Sequence, residues 1–186
     1  MPTNIRKLNL GLAALATLVS LVLLAPAGAS AACEGGGLTP AEVDMCTPTP
    51  KARLLTNGML VPPKSAPARV KQAISYANRI RNKPYLWGGG HTRWWDSGYD
   101  CSGSVSYALR GGSFIDSPMP SGPLMQWGLN GEGRWITVYA NAGHTYAVIA
   151  GYRWDTSGNG GGRTGPSWHE DDRSSSGYVA RHPAGY

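Results

Sequence analysis

Phenylalanine is almost missing from this sequence: of 186 residues, only Phe114 is one. Any core must then be built from aliphatic residues and from tryptophan and tyrosine, which occur seven and nine times. No segment repeats at a fixed period, which excludes an array of wall-binding repeat modules. There is no dense basic run and no nucleic-acid motif, so nucleic acid is not read as a partner. Metal-ligand spacings such as Cys-x-x-Cys or His-x-x-x-His are also absent. A zinc site is therefore set aside, although His91, Asp96 and Asp100 lie close to Cys101 in sequence.

Long apolar runs are confined to the N-terminus, where Leu8 to Leu24 follow Arg6 and Lys7 and Pro26 ends the run. The small residues Ala27 to Ala32 come next, which is the layout of a secretory signal peptide with cleavage after Ala31. A permanently inserted helix needs about 20 apolar residues and is the alternative. A lipoprotein leading into Cys33 is another, against which Ser30 stands where a large aliphatic residue belongs. Beyond this leader no membrane span is expected, and the mature chain is read as secreted or cell-wall associated. Losing Arg6 and Lys7 leaves 15 cations against 11 acids, a mild excess suited to an anionic wall or membrane surface.

Cysteine is scarce, and three is an odd count for an exported chain. Cys33 and Cys46 lie in a Gly/Pro-rich stretch, and a disulfide closing so short a loop contributes about 3 kcal/mol. Cys101 is then an unpaired thiol, either inert and buried or chemically active.

Three regions follow: residues 1–31 as leader, 32–66 as a Pro/Gly-rich arm, and 67–186 as the domain. The arm carries one apolar patch, Leu54-Leu55 and Met59-Leu60-Val61, suited to lying on the domain. Ser65-Ala66-Pro67 opens a helix whose Val70, Ala73, Ile74, Ala77 and Ile80 share one face. Arg79, Arg81 and Lys83 read as its solvated end. A second helix runs from about Cys101 to Leu109, and a short third from Ser121 through Trp127. Strands come only afterwards: Trp135 to Tyr139, Thr145 to Ile149, Tyr152 to Asp155 after a tight Ala150-Gly151 turn, and Tyr178 to Arg181. Residues 156–177 read as a loop. Helices first and strands later argue α+β, with helices packed on a small antiparallel sheet.

Asp100-Cys101-Ser102-Gly103 opens the second helix, where the dipole and free N–H groups favour a thiolate and a developing oxyanion. Among the four histidines, His169 and His182 read as exposed and His91 sits in the loop before Cys101. His144 opens an apolar strand and can face a packed helix. Across the Ala150-Gly151 turn, Asp155 comes roughly opposite His144 and could orient its ring, or could be an ordinary turn aspartate. Tryptophans 87, 94, 95, 127 and 135 flank these loops, as sugar-stacking surfaces or as core residues.

Pro84-Tyr85-Leu86-Trp87-Gly88-Gly89-Gly90, then Asp100-Cys101-Ser102-Gly103, then Gly143-His144 before Thr145-Tyr146-Ala147-Val148-Ile149 resemble the NlpC/p60 cell-wall peptidases over about residues 68–156. The resemblance implies a papain-like α+β fold, Cys101 as nucleophile and His144 as base. It implies that Tyr85 reaches the oxyanion and substrate region, and that Asp100 and Ser102 help bind the substrate's amino end. Asp155 fills a slot usually held by His, Asn or Gln, through a turn one residue shorter, so its third catalytic role is an expectation of a different kind. The implied function is hydrolysis of peptidoglycan stem peptides between D-glutamate and a diamino acid, through a thioester, by a monomer without cofactor. The rivals are a CHAP-like muramoyl-alanine amidase and a non-catalytic wall-binding protein. Denatured, unreduced mature protein should alkylate at Cys101 alone and at all three cysteines after reduction. Three labels without reduction would remove the Cys33–Cys46 bridge.

Overall fold

The computed structural model describes residues 48–158, 164–170 and 173–186. The leader and the Cys33–Cys46 pair lie outside the described residues. Helix α1 (Ala68–Ile80) forms where the apolar spacing requires it, and Val70, Ala73, Ile74, Ala77 and Ile80 are all fully buried. Ser65 does not cap it. Pro67 holds the N-cap position with no side-chain cap bond, and its carbonyl accepts the Lys71 N–H at 3.0 Å.

Helix α2 (Cys101–Gly111) is built largely from serine and glycine, which are poor helix formers. Burial holds it instead, since every residue except Arg110 is buried. Its small side chains let neighbours approach closely. A β-carbon at Gly111 would strike the Tyr76 ring of α1, and one at Gly103 would strike the Gly89 carbonyl oxygen. The two helices therefore cross tightly, and the glycine-rich loop lies on the first turn of α2. Helix α3 (Ser121–Leu124) is shorter than the sequence suggests. Its continuation to Trp127 tightens into i→i+3 bonds, Gln126 N–H to Pro123 O at 3.0 Å and Trp127 N–H to Leu124 O at 3.4 Å.

Two strands, β1 (Arg53–Leu54) and β2 (Leu60–Val61), pair as a separate hairpin. The main sheet contains β3 (Leu129–Asn130), β4 (Ile136–Ala140), β5 (Thr145–Ile149), β6 (Tyr152–Asp155), β7 (Ser167–His169) and β8 (Val179–His182). Its order is β3-β8-β4-β5-β6-β7, antiparallel throughout. The architecture is α+β, with α2 packed on β5 and β6 and α1 packed on α2. The turn between β5 and β6 puts Ala150 at φ 49° and Gly151 at φ 79°, the left-handed pair that a two-residue hairpin requires.

One strand of the main sheet falls where the sequence suggested loop. β7 lies within 156–177 and is recruited by tertiary packing: Trp168 rests on Trp154 with centroids 4.7 Å apart. His169, expected to be exposed, is thereby buried, and His182 is half-buried with Nδ1 3.0 Å from the Gly131 carbonyl. β3 is only two residues long and pairs with β8.

Of the arm's apolar patch, Leu60 lies in the core and Leu54 packs against it, whereas Met59 is exposed. Ala52, Leu60 and Ala66 join the same buried cluster as α1, so the core begins before residue 67. Asn78 fastens this junction. Its Oδ1 accepts from Leu60 N–H at 3.0 Å and Trp168 Nε1–H at 2.9 Å, while Nδ2 donates to Leu60 O at 2.9 Å. Asn78→Ala would leave several buried groups unpaired, at about 1–3 kcal/mol for each uncompensated group. Thermal unfolding of this variant should shift down by roughly 5–15 °C. A shift under about 2 °C would mean that water replaces the amide at no cost.

Candidate active site

Cys101 is the first residue of α2, and Asp100 before it is the N-cap. The Asp100 carboxylate accepts from Gly103 N–H at 2.7 Å, and Ser104 N–H goes to the Asp100 carbonyl at 3.0 Å. The N–H groups of Cys101 and Ser102 are the remaining first-turn donors at the thiol end, where an α-helix supplies no internal partner. The thiol lies 4.0 Å from Ser121 Oγ, at the start of α3.

His144 precedes β5, and its Nε2 is 2.9 Å from Asp155 Oδ1. The β5–β6 register pairs Ile149 with Tyr152 and Ala147 with Trp154, so Asp155 faces Tyr146 and Ser157 faces His144. Asp155 therefore reaches His144 diagonally rather than from directly opposite. Diagonal neighbours on one face are about 7–8 Å apart at the backbone, within reach of an imidazole and a carboxylate. With Nε2 committed to Asp155, Nδ1 is the nitrogen left for Cys101.

The electrostatics of the three residues are coupled. Burial pushes the Cys101 thiol up, but hydrogen bonds from His144 and the Thr145 backbone N–H, with the histidine's charge, bring it below its ordinary value. Burial works against the charged form of His144, yet hydrogen bonds to Asp155 and Cys101 and their negative charges push it up to about 9. Asp155 is wholly buried, which raises a carboxyl, but the bonds from His144 and Arg173 hold it well below the usual carboxylate range. Its Oδ2 takes Arg153 Nη1 and Arg173 Nη1, each at 2.7 Å, and its Oδ1 also accepts from Ser157 N–H at 3.0 Å.

The cleft beside the thiol holds about 310 Å³ and is bordered by Trp87, His91, Asp100, Cys101, Ser121 and Gly143. Asp100 and Ser102 also line it, and both are partners of His91: its Nε2 is 3.0 Å from Asp100 Oδ1 and 3.1 Å from Ser102 Oγ. Asp100 Oδ2 is also engaged, by Gly88 N–H at 3.1 Å. Tyr85 is close enough that burial first, and then the charges of Cys101 and Asp100, raise its hydroxyl. Of the tryptophans flagged in sequence, Trp87 stands 85% exposed at the cleft and Trp95 is exposed away from its lining, beside Tyr107 and Lys83, whereas Trp94, Trp127 and Trp135 pack in or on the core. None of residues 48–66 borders this cleft. Among the described residues, no three His, Cys, Asp or Glu side chains gather as a metal site, and no helix is long and apolar enough to cross a membrane.

Sequence reasoning missed Arg153, Arg173, Ser157 and Ser121. Nothing in their spacing marks them, because the fold brings them to the site from β6, from the start of α3 and from loops.

The signs of these shifts define a reactive window. The thiolate–imidazolium pair forms as pH rises through the lowered thiol value and persists until His144 loses its proton near 9. Alkylation of Cys101 should therefore reach half its maximal rate below the free-cysteine value of about 8.5. Asp155→Ala should move that midpoint upward and lower the His144 titration seen by NMR. A wild-type midpoint at the free-cysteine value would mean that no ion pair forms.

No family model and no curated protein matches the chain. Solved structures do. The resuscitation promoting factor interacting protein RipA is 21% identical, with 61% of each chain covered and a TM-score of 0.46. The chain thus spans less than two thirds of that relative's length. The peptidoglycan hydrolase RipB of Mycobacterium tuberculosis is 23% identical over 63% of this chain and 66% of its own, at a TM-score of 0.47. RipD of the same organism is 17% identical over 62% of this chain and 98% of its own, also at 0.47. RipD is described as a non-catalytic NlpC/p60 domain protein adapted to peptidoglycan binding. The solved structures to which this chain is similar include a peptidoglycan hydrolase and a non-catalytic NlpC/p60 domain protein.

Proposed function

We propose that this chain is a secreted, wall-associated cysteine peptidase that hydrolyses peptidoglycan stem peptides, cutting between D-glutamate and a diamino acid. The observation that carries the reaction type is one arrangement: an unpaired thiol at a helix N-terminus, a histidine hydrogen-bonded to it, and a buried carboxylate 2.9 Å behind that histidine. The sequence motifs around Tyr85, Cys101 and His144 supply the substrate class.

The Cys101 thiolate attacks the amide carbonyl, and the developing oxyanion meets the N–H groups of Cys101 and Ser102 with Tyr85 nearby. His144, protonated in the ion pair, gives its Nδ1 proton to the leaving amine, so the C–N bond breaks and a thioester remains. Water then attacks the thioester as His144 takes its proton, and Cys101 leaves as thiolate. Asp155 keeps Nε2 occupied throughout, so the ring keeps one orientation for both transfers. Asp100 and Ser102 bind the substrate's amino end, and Asp100 shares its carboxylate there with His91. The protein works as a monomer, and these residues need no cofactor.

Incubating the mature protein with purified muropeptides and identifying the products by mass spectrometry tests this reading. The expected product ends in D-glutamate, and Cys101→Ala should abolish it while leaving the fold intact. Release of the whole stem from the lactyl group would indicate an amidase. Retention of intact muropeptide by both proteins would indicate a wall-binding module.

A further inference from the structure

The carboxylate behind His144 is held by more than the imidazole. Arg153, two residues before Asp155 on β6, is buried and donates from Nη1 to Asp155 Oδ2 at 2.7 Å and to Ser157 O at 3.2 Å. Arg173 reaches the same oxygen from a different part of the chain. Its Nη1 donates to Asp155 Oδ2 at 2.7 Å and to Ser157 Oγ at 2.9 Å. Its guanidinium also lies over two rings, 5.1 Å from the centroid of Tyr146 and 5.5 Å from that of Tyr178.

Those two tyrosines form the wall around the imidazole. Tyr146 stacks near His144 with centroids 6.5 Å apart, Tyr178 meets it edge-on at 6.4 Å, and the tyrosines touch each other at 5.1 Å. One guanidinium therefore contacts the carboxylate that orients the ring, the serine hydroxyl beside that carboxylate, and both aromatic walls.

We propose that Arg173 is a positioning residue of the Cys101–His144–Asp155 site, fixing the carboxylate and pinning the aromatic wall so that His144 keeps one orientation. The inference rests on the cysteine-hydrolase reading of that site, but it does not depend on which amide is cut. Arg173 acts through Asp155 and the tyrosines and does not touch the reacting atoms. Small errors in the placement of a catalytic group cost about 100-fold in rate. Arg173→Ala should thus lower kcat by about 10- to 100-fold with KM nearly unchanged. Both hydrogen bonds leave from one nitrogen, so a lysine ammonium can remake them, and Arg173→Lys should recover most of the loss. In an Asp155→Ala background, Arg173→Ala should add less than a further twofold loss, because residues acting as one unit are not additive.

The experiment uses the mature protein with two readouts: muropeptide turnover, and the rate of Cys101 alkylation by iodoacetamide at pH 7, which needs no substrate. Arg173 is 31% exposed, so its replacement leaves no sealed cavity, and circular dichroism checks the fold of each variant. If Arg173→Ala unfolds, the comparison runs on Arg173→Lys and Arg173→Gln, with lysine expected to retain more of both rates. The pattern of loss, lysine rescue and non-additivity in both readouts supports the proposal. Wild-type rates in Arg173→Ala, failure of lysine to rescue, or losses that multiply with Asp155→Ala overturn it. A wild-type protein that cuts no muropeptide but shows the pattern in alkylation removes the substrate assignment and keeps Arg173 in its place.

Discussion

An ionised carboxylate with no exposure to water sits at the centre of this molecule's chemistry. Burying such a charge without partners costs several kcal/mol even after relaxation. Asp155 survives because five donors surround it: His144, Arg153, Arg173 and the Ser157 amide and hydroxyl. Each partner is in turn constrained by that need. β6 must place Arg153 and Asp155 on one face, the loop after β6 must fold back so that Ser157 can donate, and Arg173 must return to cover the far oxygen. The orientation of His144, and through it the state of Cys101, is a consequence of solving this one desolvation problem.

The cysteine side is governed by closeness rather than charge. α2 has little intrinsic preference for helix, yet its serines and glycines let α1, the glycine-rich loop and Trp154 come within contact of its backbone. Trp154 Nε1 donates to the Ser104 carbonyl at 3.2 Å, and Ser104 Oγ donates to the Cys101 carbonyl at 2.9 Å. The strand that ends in Asp155 therefore also grips the helix that begins with Cys101. Bulkier residues would stabilise the isolated helix and force the two halves of the site apart.

Much of this was legible in the sequence where the determinants are local. The five buried residues of α1 follow from spacing alone, the Ala150-Gly151 turn from its residues, and Cys101, His144 and Asp155 from motif and order. Sequence placed Asp155 across from His144, whereas the register makes it a diagonal neighbour, because a two-residue turn fixes Ile149 against Tyr152. β7 escaped notice because three residues in a Gly- and Ser-rich segment carry no periodicity; only Trp154 and Asn78 make Trp168 a core residue. Arg173 was invisible for the same reason, as no local pattern says which distant carboxylate a loop arginine will meet.

The placement of Arg173 and Trp168 late in the chain has a consequence for synthesis. The ribosome delivers α2 first, β5 and β6 later, and the segment that closes over Asp155 last. A nascent chain thus carries Cys101 well before it carries the histidine that hydrogen-bonds to that thiol. The donors around Asp155 are complete only after Arg173 has emerged, so a chain cut before that residue lacks one of the two guanidinium groups that hold the carboxylate. The order of residues along the chain itself delays the Cys101–His144–Asp155 arrangement until the strands and loops that hold it are in place.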